Sequence, residues 1–376
     1  MTDDHGEADL FTPLERRGTT ARNRVMVSPM CQYSCDGDGL ATEWHHVHLG
    51  SRAVGGAGIV MAEASAVSPE GRITPHDLGI WSAEHADALA ETAAFVRDHG
   101  ALAGIQLAHA GRKASTERPA DGGGPIHDER GWTTVAPSAE PWPHDEDEGG
   151  PVPTERLSTA DIEAVVDDFR TAAEHALDAG FQVAEVHGAH GYLLHEFCSP
   201  VTNHREDDYG GGFTGRTRLV REVTRVVRAV WPDDQPVFVR LSATDWLPDR
   251  PSWTVEDTAR LAPLLAEDGA DLIDVSAGAI HPAQQVPDTG AHYQVPYAER
   301  VRESLREADA DCAVGAVGGI TTPHGADEVV RNDRADLTIV AREHIRDPYF
   351  TLTAARELDA LDRVDVPRQY YRGYPH

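Results

Sequence analysis

Eight short apolar runs punctuate the chain, and a segment with helical periodicity follows each. They are Val25–Ser28, Gly58–Ala64, Leu102–Leu107, Val183–His187, Val237–Leu241, Leu272–Ser276, Ala313–Val317 and Leu337–Ala341. Each is rich in small and β-branched residues and does not alternate strictly, which predicts strands buried on both faces of a parallel sheet. Thr159–Ala179 is the clearest intervening helix. Ile162, Val165, Val166, Phe169, Ala173 and Ala176 fall on one side, Ser158 precedes it as a cap, and Gly180 follows as a stop. Eight strand–helix units predict one α/β domain over residues 1–376, a single (β/α)8 TIM barrel. An open doubly wound sheet is the alternative. Two stretches break the alternation, 116–131 and 140–153. Both are rich in Gly, Pro and acid, and they read as exposed loops over the C-terminal mouth.

Composition narrows the class. With 376 residues the chain can bury a large core. No stretch approaches the ~18 apolar residues of a membrane span. The first ten residues, MTDDHGEADL, carry acids where a signal peptide carries base, so the expected location is the cytoplasm. Cys31, Cys35, Cys198 and Cys312 form no metal-ligand repeat and read as free thiols. Lys plus Arg is 33 against 63 for Asp plus Glu, a formal charge of −30, which repels nucleic acid and anionic membranes. Lys113 is the only lysine. Such a composition is expected of a protein adapted to a salty cytoplasm, where ions screen self-repulsion.

Barrel chemistry sits where strands end and the following loops begin. The fourth run ends in His187-Gly188-Ala189-His190-Gly191-Tyr192, so two imidazoles and a phenol leave one strand end together. Imidazole N–H groups can hold a carbonyl oxygen and stabilise an enolate, and a phenol can then protonate the α-carbon. A metal pair is the rival reading, weakened by the absence of a third ligand of the expected type. Simple capping of the strand is the bland one. The first run ends in Ser28-Pro29-Met30-Cys31, with Tyr33 beyond, which suits close backbone approach to a flat ligand; alone, Cys31 reads as a small buried hydrophobe. The third run carries Gln106, whose amide could pair with a ring imide, and leads to Lys113. That lysine is either a chance survivor or meets a phosphate or a developing charge. Arg240, inside the fifth run, needs a partner: an anionic reduced cofactor or a buried salt bridge. The last two runs end in Gly318-Gly319 and Ala341-Arg342, where barrels bind phosphate.

With these residues assembled, the chain resembles the old yellow enzyme family. Within it, the chain is most similar to the bacterial subgroup with a cysteine beside the flavin, the thermophilic-like ene-reductases. The segments that carry the resemblance are NRVMVSPMCQYS, EASAVSPEGRITPHDLGIWS, GIQLAHAGRK, EVHGAHGYLLHEFCSPVTNHREDDYGG, FVRLSATD, GAVGGI and ARE followed by IRDP, over about Asn23 to Tyr374. The resemblance implies one FMN at the barrel mouth and NADPH as reductant, with NADH the other candidate. It implies that Ser28, Pro29, Met30 and Cys31 line the flavin, that Ala64 and Gln106 meet its ring, and that Cys31 tunes its potential. Arg240 would stabilise the reduced flavin, and Gly318, Gly319, Ala341 and Arg342 would hold the phosphate. His187 and His190 would bind the substrate oxygen, Tyr192 would donate the proton, and Tyr33 would face substrate; Lys113, which the resemblance does not assign, is a further substrate-side candidate. The tail, 364–376, is similar to an element that lends an arginine to a neighbour's active site, here Arg372. That implies a homodimer or homotetramer.

The departures are Ala341 in place of a glycine, Tyr374 in place of a tryptophan, and longer acidic insertions. A positive φ at Ala341 would cost energy. The function implied is FMN-dependent NADPH dehydrogenase and ene-reductase activity on enones, quinones or nitro compounds, without metal, nucleic acid or membrane. A tRNA-modifying flavin barrel, opposed by the charge, and a flavin-binding sensor without turnover are the alternatives. The charge balance predicts that melting temperature and activity rise from low to molar KCl; equal stability across that range would contradict the adaptation.

Overall fold

The computed structural model describes residues 8–374, so the acidic first seven residues and the last two of the tail lie outside the described residues. A short antiparallel hairpin, β1 (Leu14–Arg16) and β2 (Thr19–Ala21), precedes the barrel. The barrel strands are β3 (Val25–Val27), β4 (Ile59–Ala66), β5 (Leu102–Ala108), β8 (Val183–Gly188), β9 (Val237–Ser242), β10 (Leu272–Ser276), β11 (Ala313–Val317) and β12 (Leu337–Val340). They pair in parallel in that order, and β12 returns to β3 through Ile339 opposite Met26, closing the barrel. The closed barrel replaces the open-sheet alternative. Each predicted strand lies within two residues of the observed one at both ends. The two remaining strands, β6 (Thr134–Ala136) and β7 (Thr154–Arg156), form a small parallel pair between and beside the acidic insertions. They were not anticipated.

The runs look continuous in sequence because alternate residues serve two different apolar interiors. Outward residues such as Val60, Ile105, Val186, Val239, Val275 and Val314 pack under the helices. Inward residues Met26, Ile59, Met61, Val183, Phe238, Leu272, Ala313 and Leu337 fill the barrel, and Leu14 and Ala21 of the hairpin pack against them. With both faces buried, period-two polarity disappears. The helix Thr159–Asp178 shows how the outer layer is specified: Ser158 Oγ accepts from the Asp161 N–H at 3.2 Å, and the Asp161 carboxylate answers at the Ser158 N–H. Ile162, Val165, Phe169, Ala173 and Ala176 are buried, and Gly180 follows with φ +89°.

Toward the C-terminal end the barrel filling changes from apolar to polar. On the same inward-facing positions, one step further along each strand, stand Gln106, Glu185, Arg240 and Asp274, followed by His187 and Ser276. At Glu63 the β4–β5 register shifts, which brings Ala64 opposite Gln106. Both acidic insertions lie over this mouth: Thr116, Glu117, Pro119 and Gly123 from the first and Trp142 and His144 from the second wall one cavity with Tyr33 and Lys113. No helix among the described residues is long and apolar enough to cross a membrane.

Candidate active site

The strand ends bring the predicted cluster together. His187 and His190 have ring centroids 5.1 Å apart and nearly perpendicular, and the Tyr192 ring stands 5.1 Å from His187. The turn that achieves this needs left-handed backbone at His190 (φ +60°) and Gly191 (φ +71°). A Cβ on Gly191 would strike the Ala279 backbone, so glycine is required there. The Ala189 N–H donates to His187 Nδ1 at 3.3 Å, which puts the proton of that neutral ring on Nε2. His190 Nε2 lies 2.7 Å from Ser276 Oγ, and that hydroxyl donates to Gln294 at 3.3 Å, so the imidazole N–H points to Ser276. The sequence reading had both imidazole N–H groups free to converge on one oxygen. The structure leaves that role open to His187 Nε2, while His190 faces the mouth with Nδ1.

Burial first, then the positive charge of Arg240, holds both imidazoles well below the usual histidine range, so they are neutral donors and acceptors at pH 7. Burial pushes the Tyr192 phenol well above the usual range, with Cys31 and Asp77 adding to the effect. The phenol therefore keeps its proton. The Cys31 thiol is raised in the same way, by burial and by Asp77 and Glu63, against an opposing hydrogen bond with Tyr33. Tyr33 itself sits in left-handed backbone at φ +52°.

Lys113 is engaged with the backbone of the site. Its Nζ donates to the carbonyls of His190 (2.8 Å) and Ala279 (3.1 Å), clamping the turn that carries the imidazole. It also lies 5.1 Å from the Tyr192 ring centre and 4.7 Å from that of Trp142. Burial lowers it to about 8. Trp142 is held in place through its neighbours: Glu140 meets Arg112 at 3.8 Å and His204 at 3.0 Å.

Beneath these groups, Arg240 is 5% exposed. Its Nε lies 3.2 Å from Asp274 Oδ2, and its Nη1 donates to Ser28 Oγ at 3.2 Å. Arg240 thus has a buried ion-pair partner in Asp274, alongside the Ser28 hydroxyl. Gln106 Nε2 donates to Glu185 Oε2 at 2.7 Å, so one of its N–H groups is already committed and only the other is free for a ring. Pro29 and Met30 are half-buried beyond Ser28.

A cavity of ≈ 410 Å³ opens between the ends of β11 and β12, lined by His190, Ser276, Gln294, Gly318, Gly319, Ala341 and Arg342. Gly318 and Gly319 adopt φ +116° and +70°, and a Cβ at Gly318 would come within 2.8 Å of Gln294. Ala341 adopts φ −102°, so the alanine in place of glycine carries no left-handed strain, contrary to the concern raised by the sequence. Among the described residues Arg342 forms no ion pair, and it is exposed at the cavity wall. An unpaired guanidinium beside two turn-forming glycines fits a phosphate ester. Together with Arg240 and Gln106 nearby, it fits a phosphorylated planar cofactor.

The chain matches the NADH:flavin oxidoreductase / NADH oxidase family over residues 9–360. It belongs to that family. It is 46% identical over 369 residues to an NADPH dehydrogenase of Geobacillus sp. (strain WCH70), covering 98% of this chain and 99% of that one. Identity to the NADPH dehydrogenase of Bacillus subtilis (strain 168) is 44% over 366 residues, 97% and 99% of the two chains. An old yellow enzyme homologue from Zymomonas mobilis superposes with a TM-score of 0.75 at 27% identity, over 98% of this chain and 99% of that one. The chain is thus an FMN-dependent oxidoreductase of the old yellow enzyme type.

Arg372 stands apart from this chain's own site. Its Nε donates to Tyr371 Oη at 3.1 Å, and its neighbour Tyr371 is 62% exposed. Sequence reasoning missed Glu185, Asp274, Ser276 and Trp142. A lone acid inside an apolar strand was a usable signal for the first two, as it was for Arg240. Cys31 is the one cysteine of the four that is not fully buried. Its raised thiol predicts alkylation that still accelerates with pH beyond ~8.5, where an unperturbed cysteine levels off. A plateau at lower pH would show a thiolate instead.

Proposed function

We propose that the chain is an NADPH dehydrogenase whose FMN reduces the activated C=C bond of α,β-unsaturated carbonyl compounds, with quinones and nitro compounds as further acceptors. The observation that carries this reading is the convergence of two neutral imidazoles and a protonated phenol at the end of β8, directly beside the buried Arg240. Bound there, FMN would supply the hydride-transfer chemistry between a nicotinamide and the alkene. The phosphate falls to Gly318, Gly319, Ala341 and Arg342, and the ring to Ser28, Pro29, Met30, Cys31, Ala64, Gln106 and Arg240.

The protein's contribution is placement and proton handling. His187 Nε2–H donates to the carbonyl oxygen of the substrate, and His190 completes the cradle when substrate turns its ring from Ser276. Neutral donors in a buried site stabilise the developing enolate without the desolvation cost of two added charges. Tyr192 holds the proton that the α-carbon needs. Lys113 holds the His190 turn from below. Tyr33 and Trp142 wall a cavity of ≈ 190 Å³ beyond the reacting centre, where the substrate's remaining bulk is accommodated. The exposed tail suits a homodimer or homotetramer in which Arg372 completes a neighbour's site.

Tyr192→Phe separates the two half-reactions. Flavin reoxidation by an enone is expected to slow by about 10²-fold or more, the range for loss of a general acid. Flavin reduction by NADPH should hardly change. Stopped-flow absorbance checks both, and equal slowing of the two halves would remove Tyr192 from the proton-donor role.

A further inference from the structure

Three ionisable side chains meet inside the barrel: Glu185 on β8, Arg240 on β9 and Asp274 on β10. Glu185 and Asp274 are 0% exposed and Arg240 is 5% exposed. Two carboxyls therefore face one guanidinium. Their bonding is incomplete if both are carboxylates. Glu185 Oε2 accepts from Gln106 at 2.7 Å, but Glu185 Oε1 and both oxygens of Asp274 have no hydrogen-bond donor. Asp274 Oδ2 has only the ion-pair approach of Arg240 Nε at 3.2 Å, at an angle that falls short of a hydrogen bond. Three donorless carboxylate oxygens in one buried cluster would be a heavy penalty. The two carboxyls lie within hydrogen-bonding reach of each other, and a contact of that kind requires a proton between them.

We propose that Glu185 and Asp274 share one proton, held chiefly by Glu185, so that a single negative charge faces Arg240. A proton on Glu185 turns two competing acceptors into a donor and an acceptor. It also changes the charge of the cluster from −1 to 0. A neutral cluster leaves Arg240 able to favour electron density on the cofactor above it, whereas a net negative one would oppose it. Glu185 is thus a positioning residue that sets the charge presented by Arg240. This last step rests on the FMN site proposed above; the shared proton does not. Burial and the Asp274 charge both raise Glu185 above the usual carboxylate range, with Arg240 and Gln106 opposing. Those are the charged and polar groups that act on it.

Infrared difference spectra of the purified protein, Glu185→Gln minus wild type at neutral pH, test the proton directly, and flavin bands cancel. The expected result is loss of one carboxylic-acid C=O stretch that shifts in D2O, with no loss of ionised carboxylate. Loss of ionised carboxylate bands instead would overturn the proposal. Melting temperature supplies the sign. A group raised in the folded state contributes stability below its unfolded pKa of ~4.3 and loses it as pH rises, so Glu185→Gln should gain on wild type as pH rises above about 5. A declining difference would mean an ionised Glu185. On the loaded enzyme, Glu185→Gln should leave the flavin midpoint potential where it was, because one neutral group replaces another; a higher potential would mean that a negative charge had been removed. If Glu185→Gln does not fold, Asp274→Asn decides. The Glu185 acid band should then either disappear, as Glu185 ionises to face Arg240, or shift in frequency, as burial keeps it neutral beside a changed partner; a spectrum with no change in the acid bands would overturn the shared proton.

Discussion

A permanently charged guanidinium in the middle of a closed barrel is the constraint around which the upper half of this molecule is organised. Arg240 has almost no access to water, so every group near it must answer its charge. Asp274 supplies the counter-charge and Ser28 a neutral acceptor. The same positive field, added to burial, keeps His187 and His190 uncharged, which makes them hydrogen-bonding groups for a substrate oxygen. The apolar lower layers of Met26, Ile59, Phe238 and Leu272 then serve as a rigid, low-dielectric floor that strengthens each of these interactions.

The chain carries a formal −30, yet Arg342 and the only lysine line the two cavities at the mouth of the barrel. The acidic exterior leaves cationic character where a phosphorylated cofactor enters, and acidic insertions form the rim. Those insertions are not loose decoration. The first reaches Tyr33, and the second is pinned through Glu140 to Arg112 and His204, placing Trp142 over Lys113.

Much of this was legible in the chain because barrel strands write a strong signal: short β-branched runs, regularly spaced, with chemistry just past their ends. Ser158 and Gly180 marked a helix to within a residue because capping is a local interaction. The β6–β7 pair escaped because three-residue strands inside Pro- and Gly-rich loops have no periodicity to detect. The side-chain partnerships escaped for a different reason. That Gln106 spends an N–H on Glu185, that His190 turns to Ser276 and that Lys113 binds two backbone carbonyls all depend on contacts across strands far apart in sequence. At Ala341 the feared left-handed strain does not arise because the backbone stays at negative φ, which residue identity alone does not reveal.

A crystal structure of the protein with FMN bound tests the account most directly, because it fixes where both ends of one ligand lie. The account predicts the phosphate within hydrogen-bond distance, about 3 Å, of Arg342 and the Gly318–Gly319 backbone, and the ring lying between Arg240 and the His187–His190 pair. A flavin ring seated away from Arg240 and these imidazoles would contradict it, even with the barrel intact.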